Sequence, residues 1–207
     1  MVDDRDLSVR TLDRGSAGEI AALHAEALTD DILPALGPRF LTRYYTKALG
    51  STAQTLIGVT DSSGLVGFCQ LSLSPMSVGT VLRSDPSMVL PILKLALVDA
   101  RTLINGISMV LSRPNEVLGI PEIAFIVVRS TYRGRGIGSR MVTAANRVAA
   151  RNGQSSVMTK TANLAARVMY ETKFGARVLA TTMISRRQYW YMTWNTCASA
   201  IGDHVPP

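Results

Sequence analysis

The spacing of apolar positions changes repeatedly along the chain, and each change marks an element. Residues 6–12 alternate as a half-buried strand does. Gly18-Glu-Ile-Ala-Ala-Leu-His-Ala-Glu-Ala-Leu28 then repeats its apolar positions at helical spacing. Residues 30–40 predict a loop held by Pro34, Gly37 and Pro38, and residues 41–49 a short helix. Runs at 55–59 and 65–73 flank Asp61-Ser-Ser-Gly64, which predicts a hairpin. Ile123-Ala-Phe-Ile-Val-Val128 is continuously apolar and predicts a buried strand, with a helical pattern soon after it. Residues 155–161 read as a further strand. Residues 163–175 read as a helix with Asn163 as its cap and Gly175 as its stop. Residues 177–184 and 188–194 read as a closing hairpin, where Tyr189, Trp190, Tyr191 and Trp194 suit strands.

Residues 76–119 break this rhythm. They number 44, more than a structureless loop inside a domain should have. The pattern predicts a helix that starts near Pro91 and ends at Asn105-Gly106, with apolar character continuing through 107–111. Lys94, Asp99 and Arg101 interrupt the apolar run, so no membrane span is expected. A lid beside an acceptor site, a homodimer surface and extra core all remain open for this segment.

The strand at 123–128 runs into Arg129-Ser-Thr-Tyr-Arg-Gly-Arg-Gly-Ile-Gly-Ser139. A buried strand feeding a glycine-rich turn into a helix is a place to hold an anion. The first helical N–H groups lack intrahelical partners, and the helix dipole adds partial positive charge. Glycines admit positive φ and close approach, and Arg133 and Arg135 add cationic donors. A diphosphate is the natural guest. The chain contains no G-x-x-x-x-G-K-[ST] string, and a dinucleotide fingerprint would need glycine where Ser139 stands. Arg133-x-x-Gly136-x-Gly138 instead resembles the Q/R-x-x-G-x-G/A pyrophosphate loop of the GNAT superfamily of acyl-CoA-dependent N-acyltransferases. Further on, Asn163-Leu-Ala-Ala-Arg-Val-Met-Tyr-Glu-Thr-Lys-Phe-Gly175 resembles that superfamily's N-x-x-A-x-x-x-Y-E-x-x-G-F segment. Asn163, Ala166, Tyr170 and Glu171 match, and the final pair is inverted as Phe174-Gly175. The specific resemblance covers residues 120–178.

The resemblance implies an α/β fold in a single domain spanning residues 1–207. Its mixed, mostly antiparallel central sheet is flanked by helices and splayed to admit acetyl-CoA. It implies transfer of an acetyl group from acetyl-CoA to a primary amine by direct attack, without a covalent enzyme intermediate. Glu122, eleven residues before Arg133, stands where histone-acetylating members carry a glutamate base. Glu26, His24 and His204 are weaker candidates for that work. Tyr170 stands where the superfamily places the acid that protonates the leaving thiolate. The implied cofactor contacts are Ile126, Val127, Val128, Arg133, Gly134, Arg135, Gly136, Ile137, Gly138, Ser139, Asn163 and Arg167. Main-chain groups of Ile126 and Val128 would hold the pantetheine as an added strand does. No metal site is assigned.

Composition changes little. The chain is 47% hydrophobic, and its formal charge is +7. The arginines are scattered, with no lysine-rich tract or interleaved aromatics, so nucleic acid is not the expected partner. Coenzyme A phosphates would absorb some of the excess. Cys69 and Cys197 make no disulfide framework, and Cys69 reads as a buried thiol. Met1-Val-Asp-Asp-Arg-Asp is polar, unlike a signal peptide, which predicts a cytoplasmic location. A nucleotide-linked amino sugar or related small polar amine is the expected acceptor, with a protein N-terminus or lysine second. An acyl-CoA-binding regulatory module is the alternative of another class.

Overall fold

The computed structural model describes residues 7–29, 31–76, 78–111, 113–184 and 186–196. Seven strands form one sheet: β1 (Ser8–Thr11), β2 (Gln54–Asp61), β3 (Gly64–Ser72), β4 (Glu122–Val128), β5 (Ser156–Thr161), β6 (Arg177–Ile184) and β7 (Arg187–Asn195). Their order is β1-β2-β3-β4-β5-β7-β6, and only β4 and β5 pair in parallel. That mixed, mostly antiparallel sheet is the expected one. The parallel pair needs a crossover, and α7 (Ile137–Arg151) supplies it. α7 is amphipathic: Ile137, Met141, Val142, Ala145 and Ala149 recur at helical spacing and are buried.

Each face of the sheet carries its own core. On one, α7 and α8 (Leu164–Phe174) cover Ile57, Val59, Val66, Cys69, Leu71, Ile123, Val157, Met192 and Trp194. Burial pushes the Cys69 thiol up to about 12, which makes it an inert packing group. On the other face, α1 (Ala17–Ala27) and α3 (Pro38–Leu49) cover Leu56, Leu65, Phe68 and Val127.

The segment read as a loop at 30–40 contains more helix than its prolines suggested. Asp31 caps a short helix, α2 (Ile32–Ala35), by accepting from the Leu33 N–H at 3.0 Å. Gly37 then takes φ 94°, and Pro38 starts α3 at a position where a missing N–H costs nothing. Among the described residues, three α-helices rather than one lie between β3 and β4: α4 (Val78–Ser84), α5 (Val89–Val98) and α6 (Ala100–Leu111). The break falls at Asp99, whose carboxylate accepts from Thr102 N–H and Oγ1–H and so starts α6. Gly106 does not end a helix. It lies inside α6 because α2 presses against it there: a Cβ on Gly106 would sit 2.1 Å from Ile32 Cδ1. Val81, Met88 and Leu95 are buried in the second core, and Arg43 on α3 pairs with Asp85 at 3.4 Å. These helices are therefore part of the core, while Leu90, Leu93, Leu97, Val98, Ile104 and Ile107 remain exposed on their outer side. Among the described residues no helix is long and apolar enough to cross a membrane.

Candidate active site

Two irregularities at β4 make the site. The first is a bulge. Gln70 and Leu71 are adjacent on β3 but face Phe125 and Ile123, so Ala124 is an extra residue on β4. The bulge resets the alternation. Ile123, Ile126 and Val128 then face the α7 core, and Phe125 and Val127 the α1 and α3 core. The second is a split. β4 pairs with β5 only at Glu122↔Met158 and Ile123↔Thr159. Beyond those two rungs the strands part, as the expected splay requires.

The main chain facing the split follows from the ladder on the other edge. The Arg129 N–H bonds Val66 O at 2.9 Å toward β3. By alternation, Ile126 and Val128 turn their main-chain groups toward the split. These are the two residues expected to bind an extended pantetheine. The Val127 side chain packs in the opposite core.

The glycine-rich turn lies at the far end of β4. Gly134 has φ 78° and Gly136 φ 74°, values that favour glycine. Nothing lies within 4 Å of a Cβ placed on Gly134, and only Ser139 Oγ, at 3.8 Å, near one on Gly136. Gly136 caps α7 without any side-chain acceptor. The first N–H groups of α7, from Ile137, Gly138 and Ser139, thus open a cradle for an anion. Arg133 Nε donates to Val128 O at 3.2 Å, which folds the turn back on the strand. The Arg135 guanidinium lies over the Tyr132 ring at 5.3 Å. Lys173 from α8, which sequence reasoning did not single out, donates to Ser139 Oγ at 3.3 Å and adds a cation to the cradle.

α8 begins where Asn163 Oδ1 accepts from the Ala166 N–H at 3.1 Å, the expected cap. Arg167 pairs with Glu171 at 2.8 Å and lies over the Trp190 ring at 4.9 Å. Tyr170 is buried and stacks on Trp194 with centroids 5.2 Å apart, and the neighbouring Thr159 hydroxyl donates to Ile123 O at 2.9 Å. Burial first, then nearby Cys69, pushes its phenol well above the ordinary value, so it holds its proton.

Glu122 occupies the other side of the β4–β5 seam. It lies between Ser72 of β3 and Met158 of β5, and Arg113 pairs with it at 3.3 Å. Lys160 and Asp31 complete a group of four charges. Burial lowers the Lys160 pKa, against the field of Glu122 and Asp31, which raises it. Burial likewise raises that of Asp31, against the Leu33 N–H and Lys160. The Lys160 ammonium sits 5.9 Å from the ring centroids of both Tyr189 and Tyr191. Lys160 had a legible signal: alternation along β5 puts it on the Met158 face, inward, where lysine is rare. Arg113 had none, because its position depends on how α4 to α6 fold back.

The weaker base candidates lie elsewhere. Glu26 is half-exposed and 3.9 Å from Arg129. His204 lies outside the described residues, as do Cys197 and the 205–207 tail. His24 is fully buried, hydrogen-bonded through Nδ1 to Tyr45, with Phe125 4.8 Å away. Burial lowers its pKa from 6.5 to about 4, so it is neutral in the fold. The unfolded chain takes up the proton first as pH falls. Stability from this group is complete above pH 6.5 and is lost as pH falls toward 4, by up to ~3 kcal/mol. Urea midpoints should fall between pH 7 and pH 4.5, and less steeply in His24→Gln. Equal slopes would remove His24 as the cause.

A split parallel strand pair with a glycine cradle at the base of the crossover helix defines an acyl-CoA-dependent acyltransferase architecture. Residues 105–176 match the family model for the acetyltransferase (GNAT) family. No curated protein matches it in sequence. Its fold is similar to that of arylalkylamine N-acetyltransferase 2 from Aedes aegypti, with TM-score 0.66 and 12% identity over 92% of this chain and 99% of that one. It is similar to the PaiA N-acetyltransferase from Thermoplasma acidophilum in complex with coenzyme A (TM-score 0.56, 11% identity, 91% and 98% covered). It is also similar to the ribosomal-protein-S18-alanine N-acetyltransferase from Escherichia coli (TM-score 0.57, 11% identity, 97% and 99% covered).

Proposed function

We propose that this chain transfers an acetyl group from acetyl-CoA to the primary amine of a small molecule, by direct attack of the amine. The observation that carries this reading is the split between β4 and β5 above the cradle formed by Gly134, Gly136 and the start of α7. An extended thioester arm fits the split, and its diphosphate fits the cradle. Acetyl-CoA supplies an electrophilic thioester carbonyl and a thiol that departs.

The chain's own groups have separable jobs. Main-chain groups of Ile126 and Val128 align the arm, and the Val128 N–H is placed to polarise the thioester carbonyl. Glu122 accepts a proton from the acceptor ammonium, directly or through water, because only the neutral amine attacks. Tyr170 gives a proton to the departing sulfur. Its burial makes it a reluctant acid in isolation. A thiolate in the same desolvated place is a stronger base for the same reason, so the transfer stays matched. Tyr170→Phe should lower kcat by roughly 10- to 100-fold with little change in acetyl-CoA affinity. Unchanged turnover would remove Tyr170 as the acid.

The first acceptor class we propose is a nucleotide-linked amino sugar or related small polar amine, with a peptide N-terminus second. The test is thiol release from acetyl-CoA against amino sugars, nucleotide-linked amino sugars, aminoglycosides, polyamines and peptides. Release with one class supports the reading and names its substrate. Tight acetyl-CoA binding with no release across the panel favours a regulatory module.

A further inference from the structure

The acceptor side of the seam carries more charge than a lone base needs. Glu122 and Asp31 are the carboxylates there, and Arg113 and Lys160 the cations, so the group is formally neutral. Their pairing is incomplete. Arg113 gives one Nη to Glu122 at 3.3 Å and the other to the Met158 thioether at 3.7 Å, a weak acceptor. Its Nε is buried and has no partner. Among the described residues, no carboxylate lies within ion-pair distance of Lys160, which is held between Tyr189 and Tyr191. On the same face, two residues before Ser72 on β3, Gln70 is fully buried and its Oε1 is unpartnered. Buried polar atoms are nearly always satisfied, so a set of two under-used cations and one vacant acceptor calls for a ligand.

We propose that the acceptor is an amine bearing its own anionic group, a carboxylate or phosphate, with the amine toward Glu122 and the anion toward Arg113 and Lys160. This rests on the acetyltransferase reading above and narrows its substrate. A zwitterion leaves the neutral group neutral. An acceptor with only positive charge, such as a polyamine, adds an unmatched cation beside Arg113 and Lys160 in a desolvated place. The anion also gives the guanidinium a strong acceptor in place of sulfur. Amino acids, amino-sugar phosphates and nucleotide-linked amino sugars fall in this class, whereas polyamines, aminoglycosides and simple arylalkylamines do not.

The test uses the full chain saturated with coenzyme A, titrated calorimetrically with matched pairs: phenylalanine and phenethylamine, glucosamine 6-phosphate and glucosamine. The anionic member of at least one pair should bind roughly 10-fold or more tighter, the scale of one charge-assisted hydrogen bond. Which pair responds tells carboxylate from phosphate. Arg113→Gln and Lys160→Met should each shrink that ratio toward one, and Arg113→Lys should restore part of it. Coenzyme A affinity, read in a separate titration of each variant with coenzyme A alone, reports an intact fold. Equal or tighter binding of the neutral members, or a ratio untouched by both substitutions, overturns the proposal. Thiol release with phenethylamine or glucosamine would then leave the acetyltransferase reading standing. Selective binding of the anionic members without thiol release would do the reverse.

Discussion

Glu122→Gln should reduce kcat by about 100-fold or more while acetyl-CoA binds as before. The substitution keeps the shape of the side chain beside Arg113 and Met158 but removes its ability to take a proton. The enzyme must then rely on acceptor that solvent has already deprotonated. Free amine rises about tenfold per pH unit below the amine's own pKa. The variant's rate should therefore climb steeply with pH where the parent's levels off. Two parallel pH profiles would remove Glu122 as base and return weight to water alone. The 3.3 Å pair with Arg113 is partly solvated, so the fold should survive the change, and a thermal scan checks this.

Gly136→Val should weaken acetyl-CoA binding by roughly 10- to 100-fold, the loss of one or two charge-assisted hydrogen bonds to phosphate. Gly136 holds φ 74° immediately before α7, and a β-branched side chain there meets two obstacles. It resists that backbone conformation, and its methyls enter the space above the first α7 N–H groups. Gly136→Asn separates the two, since asparagine tolerates left-handed backbone. Weak binding in both variants assigns the effect to blocked space; weak binding in valine alone assigns it to backbone strain. Parental affinity in the valine variant would sink the cradle assignment.

The cofactor half of the site was legible because it is local. Arg133 to Ser139 run continuously from a strand end into a helix start, so spacing alone places glycines against backbone N–H groups. The Asn163 cap and the Gly175 stop are equally local, and the structure has both. The contact of Arg167 with Trp190 is not local, since Trp190 comes from β7, which sequence spacing does not bring near. The acceptor half was largely illegible. Its members come from α2, the segment before β4, β5 and β7. Their meeting depends on Gly106 letting α6 close on Ile32 and on the packing of three helices where one was expected.

By itself, the sequence determined which segments are strands and helices over most of the chain, because hydrophobic period and caps act within a few residues. It also determined the glycine-rich turn that opens α7, the proposed phosphate cradle, for the same reason. Tertiary structure alone decided the bulge at Ala124 and the rung after which β4 parts from β5, since both arise from register between strands distant in the chain. It also decided that Arg113, Lys160 and Asp31 gather around Glu122. Charges that far apart in sequence gather only when apolar packing has already spent the energy of bringing their elements together.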